Sequence, residues 1–152
     1  MTTILGIETS CDETAAAIVV DGTDVRSNVI ATQIDLHARF GGVVPEIASR
    51  AHLEQINGVI GAALEHASMT LTDVDVVAAT HGPGLAGALL VGVSAAKALA
   101  LVLDVPYVGV HHLEAHLHAA WLEDPEVELP MAVLLVSGGH TLFVAEEGPG
   151  RS

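Results

Sequence analysis

The segment Thr3–Val20, TILGIETSCDETAAAIVV, gives the first indication of the fold. Its two ends, Thr3–Ile7 and Ala15–Val20, are short apolar runs of the kind that form buried strands, and the polar residues between them predict a turn. The later segment Met131–Glu146 repeats the arrangement of apolar strand, Ser/Thr-bearing turn and apolar strand. We infer a weak internal duplication whose second copy stops after its first hairpin. The chain is therefore expected to be the front portion of a longer protein.

The residues between these two segments predict alternating helices and strands. A third strand is expected at Val25–Thr32, followed by a loop from His37 and a helix over Glu46–His66. A strand at Val74–Thr80, a long apolar helix, a strand at Pro106–Val110 and a histidine-rich helix complete the order β-β-β-α-β-α-β-α. This alternation predicts an α/β fold with helices packed on a sheet.

Composition and charge exclude several classes of protein. The chain has 152 residues, about one domain, and 51% are hydrophobic. A formal charge of −14 argues against non-specific nucleic-acid binding by this surface alone. The single cysteine, Cys11, excludes an internal disulfide and fits a reducing cytoplasm, and no signal peptide is visible. Leu85–Leu103 is apolar enough to raise a membrane question, but Ser94, Lys97 and the flanking strands favour a buried helix.

The segment His111–His118 holds four of the nine histidines. On a helix, His112 and His116 are one turn apart on the same face and could share a divalent metal, zinc or iron. A surface helix that is rich in histidine is the alternative. The zinc-protease pattern H-E-x-x-H requires glutamate directly after the first histidine, and this chain has Leu113 there. A metal site also needs at least one further ligand from elsewhere.

Two turns between paired strands could cradle a phosphate, because backbone N–H groups and hydroxyls point into such turns. Ser137-Gly138-Gly139 is the better candidate, although an ordinary tight hairpin gives the same pattern. In the first turn, acidic residues would repel phosphate but could hold magnesium or orient a nucleophile. They are Glu8, Asp12 and Glu13; a solvated turn, with Glu8 as a structural hydrogen-bond acceptor, is the alternative.

Two further features have both a functional and a structural interpretation, and the structural one is favoured for Gly87, Gly92 and Cys11. Gly82-Pro83-Gly84 precedes a helix and could place an anion at its N-terminus, but it also suits close packing of that helix on the sheet, as do Gly87 and Gly92. Cys11 has no assured base beside it, so an inert thiol is expected.

Five segments, taken together and in order, resemble the TsaD family, the transferase subunit that makes N6-threonylcarbamoyladenosine in tRNA and was once labelled an O-sialoglycoprotein endopeptidase. They are Gly6–Thr14, Gly41–Glu46, Gly82–Leu85, His111–His116 and Val136–Thr141. Each segment alone is weak to moderate evidence, whereas five in register are specific. The Gly41–Glu46 segment and the adjoining helix resemble the bacterial branch.

The resemblance implies a duplicated actin-like ATPase fold, with a first subdomain over residues 1–128 and the opening hairpin of a second over 129–152. It implies transfer of the threonylcarbamoyl group from threonylcarbamoyl-AMP to N6 of the adenosine 3′ of the anticodon, with release of AMP. The substrates would be tRNAs that read codons beginning with A.

The resemblance also assigns site residues. His112 and His116 would be metal ligands, with an aspartate farther along the family's chain as the third. Asp12 and Glu13 would border the phosphate and metal region, and the adenylate-binding turn would comprise Leu135, Val136, Ser137, Gly138 and Gly139. The cofactor would be one divalent metal, with Fe²⁺ favoured over Zn²⁺, acting as a Lewis acid.

The implied partners are tRNA, threonylcarbamoyl-AMP, a paralogous scaffold subunit and a small ATPase, in the cytoplasm and without a membrane. Because the later ligand and the rest of the nucleotide pocket lie outside residues 1–152, the isolated chain is expected to bind metal weakly and to be inactive. The alternatives are a metalloendopeptidase, a non-catalytic paralogue that serves as scaffold, and a sugar or acetate kinase relative. Kinases would normally have aspartate at the position of Glu8, and the scaffold paralogues lack the histidine pair.

Overall fold

The computed structural model describes residues 1–124, 126–136 and 141–146. The chain divides into two compact units, Met1–His112 and Leu113–Ser152. The subdomain boundary expected after residue 128 stays a prediction.

A five-stranded sheet forms the first unit, in the order β3-β2-β1-β4-β5. Its strands are β1 (Thr3–Glu8), β2 (Glu13–Val20), β3 (Asp24–Thr32), β4 (Val76–Gly82) and β5 (Tyr107–His111). Neighbours β1 and β2, and β2 and β3, pair antiparallel, whereas β4 pairs parallel with both β1 and β5. The α/β architecture predicted from the sequence is confirmed.

Helices α2 (Pro45–His66) and α3 (Ala86–Leu103) pack against each other and against this sheet. Pro45 starts α2 at a position where its missing N–H costs no hydrogen bond. Alternate residues of β1 and β2 point into the core formed with the helices. Fully buried examples are Leu5, Ile18 and Val77.

The loop expected from His37 is partly wrong, because a short helix, α1, covers Ile34–Ala38. Five residues are too few to produce a helical periodicity in the sequence. A 3-10 turn at Leu71–Asp73 precedes β4 and begins with the paired hydrogen bonds of a capping box between Thr70 and Asp73.

Helix α3 is long and apolar enough to cross a bilayer, alone among the helices in the described ranges. Its buried residues are small and recur every four positions: Ala88, Gly92, Ala96 and Ala100. This stripe packs in the α/β layer, while larger side chains such as Leu101 and Val102 are exposed. The helix expected to be buried is therefore buried along one face only.

The second unit contains most of α4 (His112–Glu123) and the antiparallel hairpin of β6 (Met131–Val136) and β7 (Thr141–Glu146). Trp121 donates its indole N–H to the carbonyl oxygen of Val127 at 3.1 Å, which ties the end of α4 to the residues that follow. The predicted repeat of the strand-turn-strand pattern is present here as two paired strands.

Candidate functional site

Three parallel strands end at the same edge of the five-stranded sheet. β1 ends at Glu8, β4 at Gly82 and β5 at His111. Ligands of open α/β sheets bind outside the carboxyl ends of the strands. The turn from β1 to β2 starts at this edge, so Glu8, the first of the acidic residues noted in the sequence, lies beside the end of β4 and the residue that follows β5.

The carboxylate of Glu8 joins all three strand ends. One of its oxygens accepts the backbone N–H of Ser10, and the other accepts the hydroxyl of Thr80 in β4. The second oxygen also lies 3.4 Å from Nδ1 of His112, which directly follows β5. Ser10 Oγ lies 3.3 Å from the same nitrogen. Because a carboxylate can only accept, Nδ1 of His112 carries the hydrogen in its contact with Glu8.

These contacts decide the ionisation of Glu8. Burial alone would raise its pKa, but the hydrogen bonds from Ser10 and Thr80, together with the nearby His112, outweigh burial and hold the pKa below its usual value. Glu8 is therefore a carboxylate at neutral pH. The structural hydrogen-bond acceptor that the sequence offers as an alternative for Glu8 is observed, and this acceptor contacts a predicted metal ligand.

Helix α3 fixes the same turn from another side. Thr9 donates its hydroxyl to the carbonyl oxygen of Ala88 at 2.8 Å and accepts the N–H of Gly92 at 3.2 Å. A side chain at Gly92 would collide with Thr9, and a Cβ at Gly84 would lie 2.6 Å from the carbonyl oxygen of Ser10. These glycines therefore permit close packing, as the structural interpretation of the sequence predicts.

A buried polar network holds the far end of the turn. His52 of α2 is fully buried, with Nε2 3.1 Å from the carbonyl oxygen of Cys11 and Nδ1 2.8 Å from Thr14 Oγ1. Because the carbonyl can only accept, Nε2 carries the hydrogen and Nδ1 is the acceptor. Burial lowers the pKa of His52, so this ring is neutral. No spacing in the sequence identifies His52 as a functional residue.

The network continues through Gln33, which donates to His52 Nδ1 at 3.4 Å and contacts Nε2 of His37 at 3.0 Å. His37 Nδ1 in turn accepts the N–H of Val44 at 3.4 Å. The motif segment that begins at Gly41 is thereby linked to the first turn by buried side chains.

Asp12 and Glu13, the catalytic candidates that the resemblance places beside the phosphate and metal region, lie at the end of the same turn. Asp12 is half-buried and accepts the backbone N–H of Gln33 with its carbonyl oxygen at 3.0 Å, whereas Glu13 is exposed and opens β2. Burial, followed by the hydrogen bond and charge of Asp12, raises the pKa of the Cys11 thiol. A raised pKa disfavours the nucleophilic thiolate, which agrees with the inert thiol expected from the sequence.

Both predicted histidine ligands belong to α4, His112 at its first residue and His116 one turn later. His112 is partly buried and His116 is exposed. Among residues 1–124, 126–136 and 141–146, no group of three or more His, Cys, Asp or Glu side chains is arranged to hold a metal. The donor chemistry nevertheless fits a contribution of two imidazoles, one of them against a carboxylate, to a site that takes further ligands from elsewhere.

The predicted adenylate-binding turn is described only at its start. Leu135 and Val136 are the last residues of β6 and pair with Leu142 and Thr141 of β7. Ser137, Gly138 and Gly139 lie outside the described residues.

Comparison with known proteins identifies the family. Residues 24–151 match the family TsaD, tRNA N6-adenosine threonylcarbamoyltransferase. The chain belongs to the TsaD family. Proteins named tRNA N6-adenosine threonylcarbamoyltransferase are 55% identical to it in Clostridium perfringens and 59% in Symbiobacterium thermophilum, each over 97% of this chain and 44% and 43% of those proteins. A third, from Moorella thermoacetica, is 61% identical over 94% of this chain and 42% of that protein.

The chain thus spans less than half the length of these TsaD relatives. Among solved structures, YeaZ from Pseudomonas aeruginosa has the same fold, with a TM-score of 0.61 over 97% of this chain and 67% of that chain. The identity is 19%, so this likeness concerns the fold alone. The TsaD membership implied by the five motifs is confirmed, and the α/β fold is shared with YeaZ.

Proposed function

We propose that this chain forms part of a tRNA N6-adenosine threonylcarbamoyltransferase. The observation that carries the proposal is 55–61% identity to proteins of that name over 94–97% of the chain. The scaffold alternative has less support, because this chain has His112 and His116, the histidine pair that the scaffold paralogues are expected to lack. No observation favours the metalloendopeptidase alternative, because Leu113 stands at the position where the H-E-x-x-H pattern has the glutamate that serves as general base.

In the proposed reaction, the exocyclic N6 amine of the adenosine attacks the carbamoyl carbonyl carbon of threonylcarbamoyl-AMP. A C–N bond forms, the C–O bond to the phosphate breaks, AMP leaves and N6 loses a proton. Asp12 and Glu13, in the turn at the sheet edge, are the chain's candidates for orienting the amine and accepting that proton. Leu135, Val136, Ser137, Gly138 and Gly139 are proposed to bind the adenylate.

His112 and His116 are proposed to contribute two imidazole ligands to one divalent metal, with Fe²⁺ favoured over Zn²⁺. Such a metal supplies Lewis acidity to the carbamoyl group or its phosphate. Because further ligands are required, residues 1–152 alone are proposed to bind metal weakly and to be inactive. The paralogous scaffold subunit and the small ATPase are proposed partners that help an acidic protein to bind tRNA in the cytoplasm.

The test places residues 1–152 in a protein of the relatives' length. This chain would replace the matching segment of the Moorella thermoacetica relative, and the chimera would be incubated with its partner subunits, tRNA and threonylcarbamoyl-AMP. Mass spectrometry of the digested tRNA would measure threonylcarbamoyladenosine. We expect product from the chimera and only background from the His112→Ala/His116→Ala variant.

His118→Ala is the matched control, because His118 is an exposed histidine on the same helix whose ring contacts the Glu114 carbonyl and Trp121. It should retain activity. A folded chimera that forms no product with its partners present would refute the transferase proposal. Equal product from the chimera and the double variant would leave the transferase and refute the metal ligands.

A further inference from the structure

The partner of His112 is determined by how the strands are arranged. Ile7 of β1 is in register with Ala79 of β4, so the next residues, Glu8 and Thr80, meet at the strand ends. β4 also pairs with β5, whose last residue precedes His112. Residues far apart in sequence therefore meet at one carboxylate.

The carboxylate itself has little freedom to turn. The N–H of Ser10 holds one oxygen and the hydroxyl of Thr80 holds the other. Thr80 is buried, and the Glu8 side chain is 32% exposed. A carboxylate held at both oxygens offers a directed acceptor to a third group, and the group it meets is Nδ1 of His112 at 3.4 Å.

We propose that Glu8 is a positioning residue: its carboxylate holds the Nδ1–H tautomer of His112, so that Nε2 is the nitrogen that coordinates the metal. This rests on the proposed function, in which His112 is a metal ligand. Metal-ligating histidines usually donate their other ring N–H to a carboxylate or carbonyl, which fixes the ring and makes it a better ligand. The sequence suggests Glu8 as a magnesium ligand or a structural acceptor; the geometry shows the acceptor, and it adds His112 to the groups that this carboxylate contacts.

Glu8→Gln tests this assignment with little change of shape. The amide can still accept the N–H of Ser10, but its NH₂ group would then face Thr80 and His112. An NH₂ group donates, so it would favour the other tautomer of His112, with hydrogen on Nε2 and a bare Nδ1. Hydrogen on Nε2 blocks metal coordination by that atom.

Two readouts separate positioning from a merely structural role. The first is the ring tautomer of His112 in the metal-free chimera, measured by long-range ¹H–¹⁵N NMR with His112→Gln to assign the signals. The second is the affinity for Co²⁺ alone, measured by visible absorption against a chelator. We expect Glu8→Gln to change the tautomer and to weaken Co²⁺ binding by about 10- to 100-fold.

Glu114→Gln is the matched control, because Glu114 is an exposed glutamate on the same helix as the proposed ligands. It should change neither readout. Glu8→Asp, if folded, keeps a carboxylate in the turn and should retain the Nδ1–H tautomer.

The outcomes separate this proposal from the proposed function. If the chimera makes product while Glu8→Gln keeps both tautomer and Co²⁺ affinity, the positioning role is refuted and the transferase stands. If no product forms but Glu8→Gln changes both readouts, the positioning role stands and the transferase falls. A Glu8→Gln protein that loses Co²⁺ affinity with an unchanged tautomer would also refute the mechanism proposed for Glu8.

Discussion

Two histidines contact opposite ends of the β1–β2 turn, and their surroundings differ. His52 is fully buried, and its two nitrogens meet a carbonyl oxygen and a hydroxyl, both neutral. His112 is partly exposed, and its Nδ1 meets the carboxylate of Glu8. The first arrangement keeps a ring neutral and holds a fold together, whereas the second makes a ring a stronger ligand. A histidine's role is therefore indicated by the charge of its partner and by its exposure.

Replacement of the buried ring should have the largest effect on stability. His52→Ala leaves a cavity and removes the hydrogen bonds of the ring to the Cys11 carbonyl and to the Thr14 hydroxyl, which keeps its bond to Gln55. We expect the free energy of unfolding to fall by about 3 kcal/mol or more, measured by urea unfolding with circular dichroism. His66→Ala, an exposed histidine at the end of the same helix, should cost less than about 1 kcal/mol. Similar losses of unfolding free energy from both variants would show that the buried network around His52 adds no stability beyond that of an exposed histidine.

Gly92→Ala should have the next largest effect on stability, because the added methyl group would push α3 away from the turn that both histidines contact. The added Cβ would collide with Thr9 and displace its hydrogen bonds to α3, so we expect a loss of about 1–3 kcal/mol. Gly58→Ala is the control, since a Cβ at that exposed position of α2 meets no atom within 4 Å. It should stabilise by about 0.5–1 kcal/mol. An unchanged or stabilised Gly92→Ala protein would contradict the close packing.

The pH dependence of stability should also distinguish the buried ring. Burial lowers the pKa of His52 in the folded protein from its ordinary value of 6.5. Just below pH 6.5 the unfolded chain therefore binds more protons at His52 than the folded protein does. The stability that the neutral ring contributes is complete above pH 6.5 and is lost as the pH falls toward the pKa of the folded protein. The slope from one proton is at most about 1.4 kcal/mol per pH unit. Urea unfolding from about pH 7.5 to about pH 5.5, the range in which histidines titrate, should show this slope in the wild type and a smaller one in His52→Gln.

Periodicity and motif spacing predict most of the fold but only part of the site. The strands and long helices are visible because each has several apolar residues at its own period, whereas α1, with five residues, is too short. The metal-ligand candidates are visible because His112 and His116 are neighbours in sequence. Thr80 and His52 could not be predicted, since their contacts depend on strand register and on the rotation of α2 about its axis.

Ser10→Ala should have the smallest effect, and it tests whether the Ser10 hydroxyl or the Glu8 carboxylate positions the ring of His112. Ser10 Oγ lies 3.3 Å from Nδ1, about as near as the Glu8 carboxylate, but a hydroxyl is neutral and can donate or accept. Ser10→Ala keeps the backbone N–H that binds Glu8, so the carboxylate should stay in place. We expect Co²⁺ affinity of the chimera to fall only about twofold, as for the loss of about 0.5 kcal/mol from one weak hydrogen bond. A loss as large as that of Glu8→Gln, with the tautomer changed, would transfer the positioning role from the carboxylate to the hydroxyl.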